Sequence, residues 1–380
     1  MEDRSLRLFS QSQFLGFLDI FSGGGFSNIS IVLLGVGPYI TASIIMQLGT
    51  IIFPRLKEMY QEEGEAGRIK FAQYSRLLTL PLAVIQAVSF LVILTRQGIL
   101  PNLSASLFVV NVLVVVAGSM LLMWIGELIS EFGIGNGVSI LIFAGIVAQI
   151  PQTVSQLAFT FDVTQLPVYV AFIVLGLLIV AGVVVVSEAE RPVPVTYAKR
   201  MSGLRSVGGA TYLPLRLNQA GVIPIIFALS ILLLPQMVFS FFATSSNTAL
   251  LAFANSVIST LNNTWVYGGL YFFFVVLFTY FYTAVTFDPN QMATNLQRNG
   301  AFIPGVRPGD STATFLGNLI TRITLPGALF LGIIAVLPIV MQGLTGIRAL
   351  SLGGTALLIV VSVVLDLVRR IDAQLSIREY

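Results

Sequence analysis

GVGPYITASIIMQL, residues 35–48, and GVIPIIFALSILLL, residues 221–234, are near-copies of one another 186 positions apart. Each reads Gly-Val-x-Pro-x-Ile and continues as an apolar stretch of helical length. Proline lacks an N–H and clashes with the preceding turn, so Pro38 and Pro224 predict a kink or break near the start of each stretch. In a bilayer, backbone groups freed in this way are tolerated only where protein or a water-filled cavity satisfies them. Two interrupted helices at corresponding places point to the functional centre of a membrane protein built by duplication.

Composition agrees. Of 380 residues, 56% are hydrophobic and only 10% charged, and the mean hydropathy is +0.91. A soluble domain carries about 25% charged residues, so the chain reads as an all-α polytopic membrane protein. It has no cysteine and no histidine. Disulfides, thiol nucleophiles, HExxH zinc sites and Ser/His dyads are thereby excluded, and neither metal nor cofactor is expected. Residues 1–13 are polar and charged and predict no cleavable signal peptide.

A bilayer core needs about 20 apolar residues. Nine stretches qualify or nearly do: Ile31–Phe53, Leu77–Leu94, Leu107–Ile125, Val138–Ile150, Leu166–Val186, Ala220–Phe242, Val266–Phe287, Leu325–Met341 and Thr345–Val364. The fourth is short enough to be re-entrant instead. With nine spans and the N-terminus outside, 16 of the 20 basic residues fall on the inner side, leaving Arg4, Arg7, Arg96 and Arg348 outside. The positive-inside bias therefore favours nine spans with the C-terminus inside. The preceding FSQSQFLGFLDIFSGGGF, residues 9–26, predicts a short amphipathic or re-entrant piece, with an interfacial helix as the alternative. Gly23–Gly25 would be its turn or hinge. Three long polar loops, 54–76, 187–219 and 288–324, lie on the inner side and are natural docking surfaces.

The spans contain no Asp, Glu, Lys or Arg; Glu127, Glu188, Asp288 and Asp366 lie at or beyond their ends. A proton pump or ion-coupled transporter ordinarily keeps such a group at depth. What remains is a passive pathway or a scaffold. Thr41, Ser43, Gln47, Gln86, Ser230 and Gln236 are neutral polar residues at depth, equally suited to interhelical hydrogen bonds. A neutral bundle excludes ions by an apolar constriction that dewets. Aliphatic residues at i, i+4 place two successive turns on one face. Val36/Ile40, Val222/Ile226 and Val138/Ile142 have that spacing, as do many pairs in any membrane protein.

Long blocks of the chain resemble the SecY family, the bacterial protein-conducting channel. They are FLDIFSGGG (17–25) with GVGPYITASIIMQL, EEGEAGRIKFAQYSRLLTL (62–80), LMWIGELISEFGIGNGVSILIFAGIVAQIP (122–151), NQAGVIPIIFALSI (218–231) and AFIPGVRPGDST (301–312). The blocks stand in family order and cover nearly the whole chain. The resemblance implies one membrane channel domain of two pseudo-symmetric halves related as an inverted repeat. Residues 1–151 would hold the plug and the family's second to fifth helices, and 166–380 its sixth to tenth. The family has ten spans with its N-terminus inside, so its first helix is expected to be missing here, in keeping with nine spans and an outer N-terminus.

On this resemblance the pore ring is Val36, Ile40, Val138, Ile142, Ile226 and Ile359; only Ile359 lies outside the pairs above. The re-entrant plug would comprise Phe17, Leu18, Asp19, Ile20, Phe21, Ser22, Gly23, Gly24, Gly25 and Ser27. Gln47, Gln86 and Asn218 would be neutral polar residues of a lateral gate opening into lipid. Arg200, Arg205 and Arg307 would form a docking face for the SecA motor and the ribosome. Further implied partners are SecE, SecG, unfolded preproteins and nascent membrane proteins, in the bacterial plasma (inner) membrane with the C-terminus cytoplasmic. The expected function is the central pore of the Sec translocase, which conducts unfolded secretory proteins and releases transmembrane segments sideways. It would be passive, not an enzyme, with energy from SecA or the ribosome. A secondary transporter of a small solute is the alternative that two halves and broken helices also allow.

Overall fold

The computed structural model describes residues 30–378 except 62, 97–99, 102–103, 160–165, 198–199, 203–204, 208–209, 222, 243–247 and 346–348. Each of the nine apolar stretches overlaps a helix. The N-terminal group is α1 (Gly37–Ile52), α2 (Pro54–Gln61), α3 (Gly64–Arg96), α4 (Ala105–Phe132) and α5 (Gly137–Phe159). After α6 (Leu166–Glu188) come four strands: β1 (Glu190–Tyr197), β2 (Arg200–Ser202), β3 (Arg205–Val207) and β4 (Ala210–Arg216). The chain continues with α7 (Ile223–Phe242), α8 (Thr248–Leu261), α9 (Thr264–Thr286) and α10 (Pro289–Arg298). Strand β5 (Ala301–Phe302) precedes α11 (Asp310–Thr345) and α12 (Ala349–Arg378).

The two prolines of the repeated motif break their stretches without kinking a helix. Pro38 lies in the first turn of α1 and Pro224 is the second residue of α7. There the missing N–H costs nothing, because the first amides of a helix have no intrahelical partner. Each helix is preceded by a glycine in the left-handed region, Gly35 at φ 56° and Gly221 at φ 63°. Only glycine enters that region without strain. The duplicated residues thus make a duplicated backbone turn.

Among the described residues five helices are long and apolar enough to cross a membrane. Helices α1 and α2, bent by 113° at Phe53, make a sixth if counted as one span. Parts of α5, α7 and α8 form shorter apolar helices. Helices α3 and α11, with 33 and 36 residues, each extend about 50 Å, more than the ~30 Å of a bilayer core. Their polar ends therefore project beyond it. Residues 54–76, expected as a loop, are α2 and the first turns of α3. Large aliphatic side chains stand exposed along α6 at Ile173, Val174, Leu177, Leu178 and Val185, as suits a helix whose solvent is lipid.

The all-α expectation fails at residues 187–219, which form a β-hairpin. Strand β1 lies between β4 and β5, antiparallel to both. Its Val193 and Val195 face inward, while Pro192 and Pro194 stay exposed. A central strand normally excludes proline. Here β5 pairs only with Thr196 and Tyr197, so both prolines lie where β1 has a neighbour on one side alone. The inward residues pack with Leu316, Leu319, Ile320 and Ile323 of α11, fixing the sheet to that helix's projecting end.

The largest core gathers α1, α5, α6, α7, α9, α11 and α12. The N-terminal and C-terminal helices meet along two seams: α1 and α3 against α7, and α5 against α12. The hairpin of α4 and α5 is closed at backbone range. Ser130 Oγ donates to Gly126 O (2.9 Å) and accepts from Gly137 N–H (2.8 Å). A Cβ on Gly137 would lie 1.9 Å from Gly126 O. Gly137→Ala is therefore expected to destabilise the protein by about 1–3 kcal/mol, the usual cost of overpacking, read as a lower midpoint of thermal unfolding in detergent.

Candidate functional site

The six residues expected to form a ring come together. Val36 (2% exposed), Ile40 (6%), Ile142 (2%), Ile226 (5%) and Ile359 (0%) belong to one buried cluster, with Val138 packed against it. They arrive from four elements: the turn into α1 and its first turn, the start of α5, the start of α7, and the middle of α12. The left-handed glycines Gly35 and Gly221 sit five residues before Ile40 and Ile226, so the duplicated turn brings one wall residue from each group of helices to this place. Val222 lies outside the described residues.

A cavity of about 150 Å³ rests directly on the cluster, with Ile40, Val138, Ile142 and Ile226 among its walls. Its polar lining comes from Ser43, Gln47, Glu127, Ser130, Asn136 and Ser139. A second cavity of about 270 Å³ shares Asn136, Ser139 and Ile223 with it and extends to Asn218, Arg216, Asp366, Arg369 and Arg370. Together they form a polar vestibule over an apolar floor, on the face that carries the basic residues. Its charges are tied. Arg76 of α3 pairs with Glu127 of α4, and Arg370 Nε donates to Asp366 Oδ2 at 2.9 Å. Arg369 Nη2 donates to Ser187 O at 2.6 Å, anchoring α12 to the end of α6.

Of the three amides expected at a gate, two line this vestibule. Gln47 Nε2 donates to Ser43 Oγ (3.2 Å) and Asn218 Nδ2 to Gly221 O (3.3 Å). Gln47 Oε1 and Asn218 Oδ1 are buried with no hydrogen-bond partner. Gln86 is buried on α3 and lines neither cavity. The plug residues Phe17, Leu18, Asp19, Ile20, Phe21, Ser22, Gly23, Gly24, Gly25 and Ser27 lie outside the described residues.

Sequence reasoning missed the vestibule's rim. Asn136 caps α5, its Oδ1 accepting from Val138 N–H (3.1 Å) and Ser139 N–H (3.2 Å). An asparagine just ahead of an apolar run was a readable N-cap signal. Glu127 and Arg76 end neighbouring apolar stretches with opposite charge, which was readable as a pair. Among the described residues no group of three or more acidic side chains could hold a metal ion.

The three arginines expected to dock partners do not share one sheet. Arg200 and Arg205 lie on β2 and β3, which pair with each other in a two-stranded sheet of their own. Arg307 is exposed in the turn between β5 and α11, its carbonyl accepting from Thr312 Oγ1 at 2.8 Å. Pairing of β5 with β1 (Thr196 with Phe302, Tyr197 with Ala301) makes one platform of two loops a hundred residues apart.

Comparison with known proteins bears on the whole chain. The SecY family profile matches residues 30–368. The protein translocase subunit SecY of Mycobacterium bovis is 43% identical over 384 residues, covering 97% of this chain and 86% of that protein. That of Synechococcus elongatus is 42% identical over 372 residues, covering 96% and 83%. Among solved structures, "The structure of a protein conducting channel" aligns with a TM-score of 0.63 at 20% identity, covering 93% of this chain and 83% of that one. Sec61 in the canine ribosome-channel complex from the endoplasmic reticulum gives a TM-score of 0.57 at 17% identity, covering 90% and 80%. At such identities the likeness is one of fold.

The platform is testable alone. Replacing Ala301 and Phe302 together by proline removes both N–H donors of β5. The expected result is loss of amide-exchange protection at the one amide of the Thr196–Tyr197 pair that faces β5, with protection retained along α11.

Proposed function

The chain belongs to the SecY family of protein translocase subunits, and from that premise we propose that its substrate path crosses the Val36, Ile40, Val138, Ile142, Ile226 and Ile359 cluster. The protein is a protein-conducting channel and not an enzyme. The observation that carries the path is an uncharged aliphatic cluster, built where the N- and C-terminal helices meet, directly beneath a polar vestibule. Aliphatic side chains offer water and ions nothing to coordinate, so a narrow ring of them seals by dewetting. They also offer a passing polypeptide nothing to bind, which suits substrates of every sequence.

Residues 1–151 and 166–380 act as the two halves, and the seam of α1 and α3 against α7 is the lateral gate. Two observations support this: the repeated left-handed turn, and the buried unpartnered oxygens of Gln47 and Asn218 near that seam. An unsatisfied buried polar atom costs about 1–3 kcal/mol, so a seam that carries two parts more readily than an apolar one. The charge distribution supports nine spans with an outer N-terminus and an inner C-terminus, and membership of the family supports the bacterial plasma membrane.

The platform bearing Arg200, Arg205 and Arg307 docks the ribosome and the SecA motor, which supply the energy. The exposed aliphatic face of α6 suits a membrane-helix partner of the SecE or SecG kind. Ile40→Ser and Ile226→Ser are each expected to raise ion conductance through the resting channel in a planar bilayer; parental conductance in both would sink the ring. Arg307→Glu is expected to slow ribosome- and motor-driven translocation at least severalfold with normal amounts of protein in the membrane. Export at the parental rate would remove Arg307 from the docking face.

A further inference from the structure

We propose that Gly118 and Gly327 are paired positioning residues that set the two opposed walls of the constriction, each by letting a crossing helix rest on a bare backbone carbonyl. This rests on the ring reading above. Gly118 of α4 meets the chain at Ile31: a Cβ there would lie 2.3 Å from Ile31 O and 2.9 Å from its carbonyl carbon. Gly327 of α11 meets the chain at Leu217, where a Cβ would lie 2.5 Å from Leu217 O. Ile31 stands four residues before the left-handed Gly35, and Leu217 four before the left-handed Gly221. Nine residues beyond each carbonyl come Ile40 and Ile226. The two groups of helices thus repeat a whole device: a glycine on a crossing helix, a carbonyl, a left-handed turn and a wall residue.

The device transmits position because its parts do not yield. A backbone carbonyl, unlike a side-chain tip, cannot rotate away from an intruding methyl. In the first copy the intervening residues are internally tied: Leu33 N–H donates to Ser30 O (3.0 Å), Gly35 N–H to Val32 O (2.8 Å) and Gly37 N–H to Leu34 O (3.2 Å). Ser119, next to Gly118, donates from Oγ to Gly35 O at 2.9 Å while almost wholly buried. Ala328 holds the matching place after Gly327 and has no hydroxyl. Gly35 O of the first copy thus accepts from the crossing helix itself, whereas Gly221 O of the second accepts within its own segment, from Asn218 Nδ2 at 3.3 Å. A methyl at either glycine moves the carbonyl, the turn and the wall residue together.

The test is resting ion conductance of purified channel in a planar bilayer, with the thermal-unfolding midpoint recorded for each variant. Gly118→Ala and Gly327→Ala are each expected to raise conductance about tenfold, which corresponds to ~1.4 kcal/mol against the closed arrangement. Gly269→Ala, on an exposed helical face where a Cβ meets nothing within 4 Å, is the control and should stay at the parental value. Ser119→Ala adds no bulk and is expected to leak as well, so it decides the matter if the alanine variants do not accumulate. A lowered unfolding midpoint with a tight channel would reduce the glycines to ordinary packing and overturn the proposal. So would a leak in Gly269→Ala, or a tight Ser119→Ala. If the glycine variants are tight while Ile40→Ser leaks, positioning fails and the ring stands. If Ile40→Ser and Ile226→Ser are both tight too, the ring itself has failed.

Discussion

A backbone amide or carbonyl inside an apolar layer must be paired, and three breaks between the described helices are arranged around that requirement. Ahead of α1, the turn at 30–37 closes its own amides in sequence, and Ser119 reaches across to take up Gly35 O. Between α4 and α5, Gly133 N–H returns to Ile129 O, Ser130 bridges Gly126 and Gly137, and Asn136 caps the next helix. Ahead of α7, Leu217 N–H donates to Ala189 O at 2.9 Å and Asn218 to Gly221 O. These three breaks border the vestibule and its floor. Pairing there is done by side chains and neighbouring helices, so the same contacts that satisfy the backbone also fix where the helices start.

The features legible in the sequence were the local ones. Apolar runs of spanning length and a repeated Gly-Val-x-Pro announce helices and their starts through chemistry contained within a few residues. Polar segments misled, because polarity alone does not distinguish a loop from a helix standing clear of the membrane. Residues 64–76 carry Arg68, Lys70 and Arg76, yet continue α3 without interruption. Ser75 and Thr79 there bond back to Phe71 O and Ser75 O, hydroxyls at helical spacing within a buried stripe. The β-sheet was less legible still. Its decisive pairing joins Thr196 and Tyr197 to a strand of two residues more than a hundred positions away, and no local periodicity records such a contact. The alternation of proline and valine at 192–195 was the one local trace.

The site was legible as chemistry and not as geometry. The absence of charge from the apolar runs excluded most transport mechanisms without any structure. The aliphatic i, i+4 pairs were correctly spaced but had many competitors, since such pairs recur throughout an apolar chain. Convergence on one cluster is a tertiary fact, set by how α1, α5, α7 and α12 cross. Ile359 shows the limit: it sits in the middle of α12, fully buried, within the unbroken aliphatic run 356–361 that gives it no distinguishing mark. The family resemblance supplied it.

Charge is kept out of the floor for a reason that magnitude makes plain. Two unit charges 4 Å apart at an effective dielectric constant near 20 interact by about 4 kcal/mol, roughly a thousandfold in how long a passing charge is held. A polypeptide carries both signs, so a fixed charge of either sign at the narrowest point would retain one class of substrate residue and repel the other. Conduction needs weak binding at every step. The vestibule just above shows the same logic relaxed by pairing. Glu127 is held by Arg76 and Asp366 by Arg370, so each acid has a counter-charge of its own beside it. Farther out, Arg191 on β1 and Arg307 in the turn after β5 stand exposed, where water and salt screen a charge and loosen its hold on its neighbours.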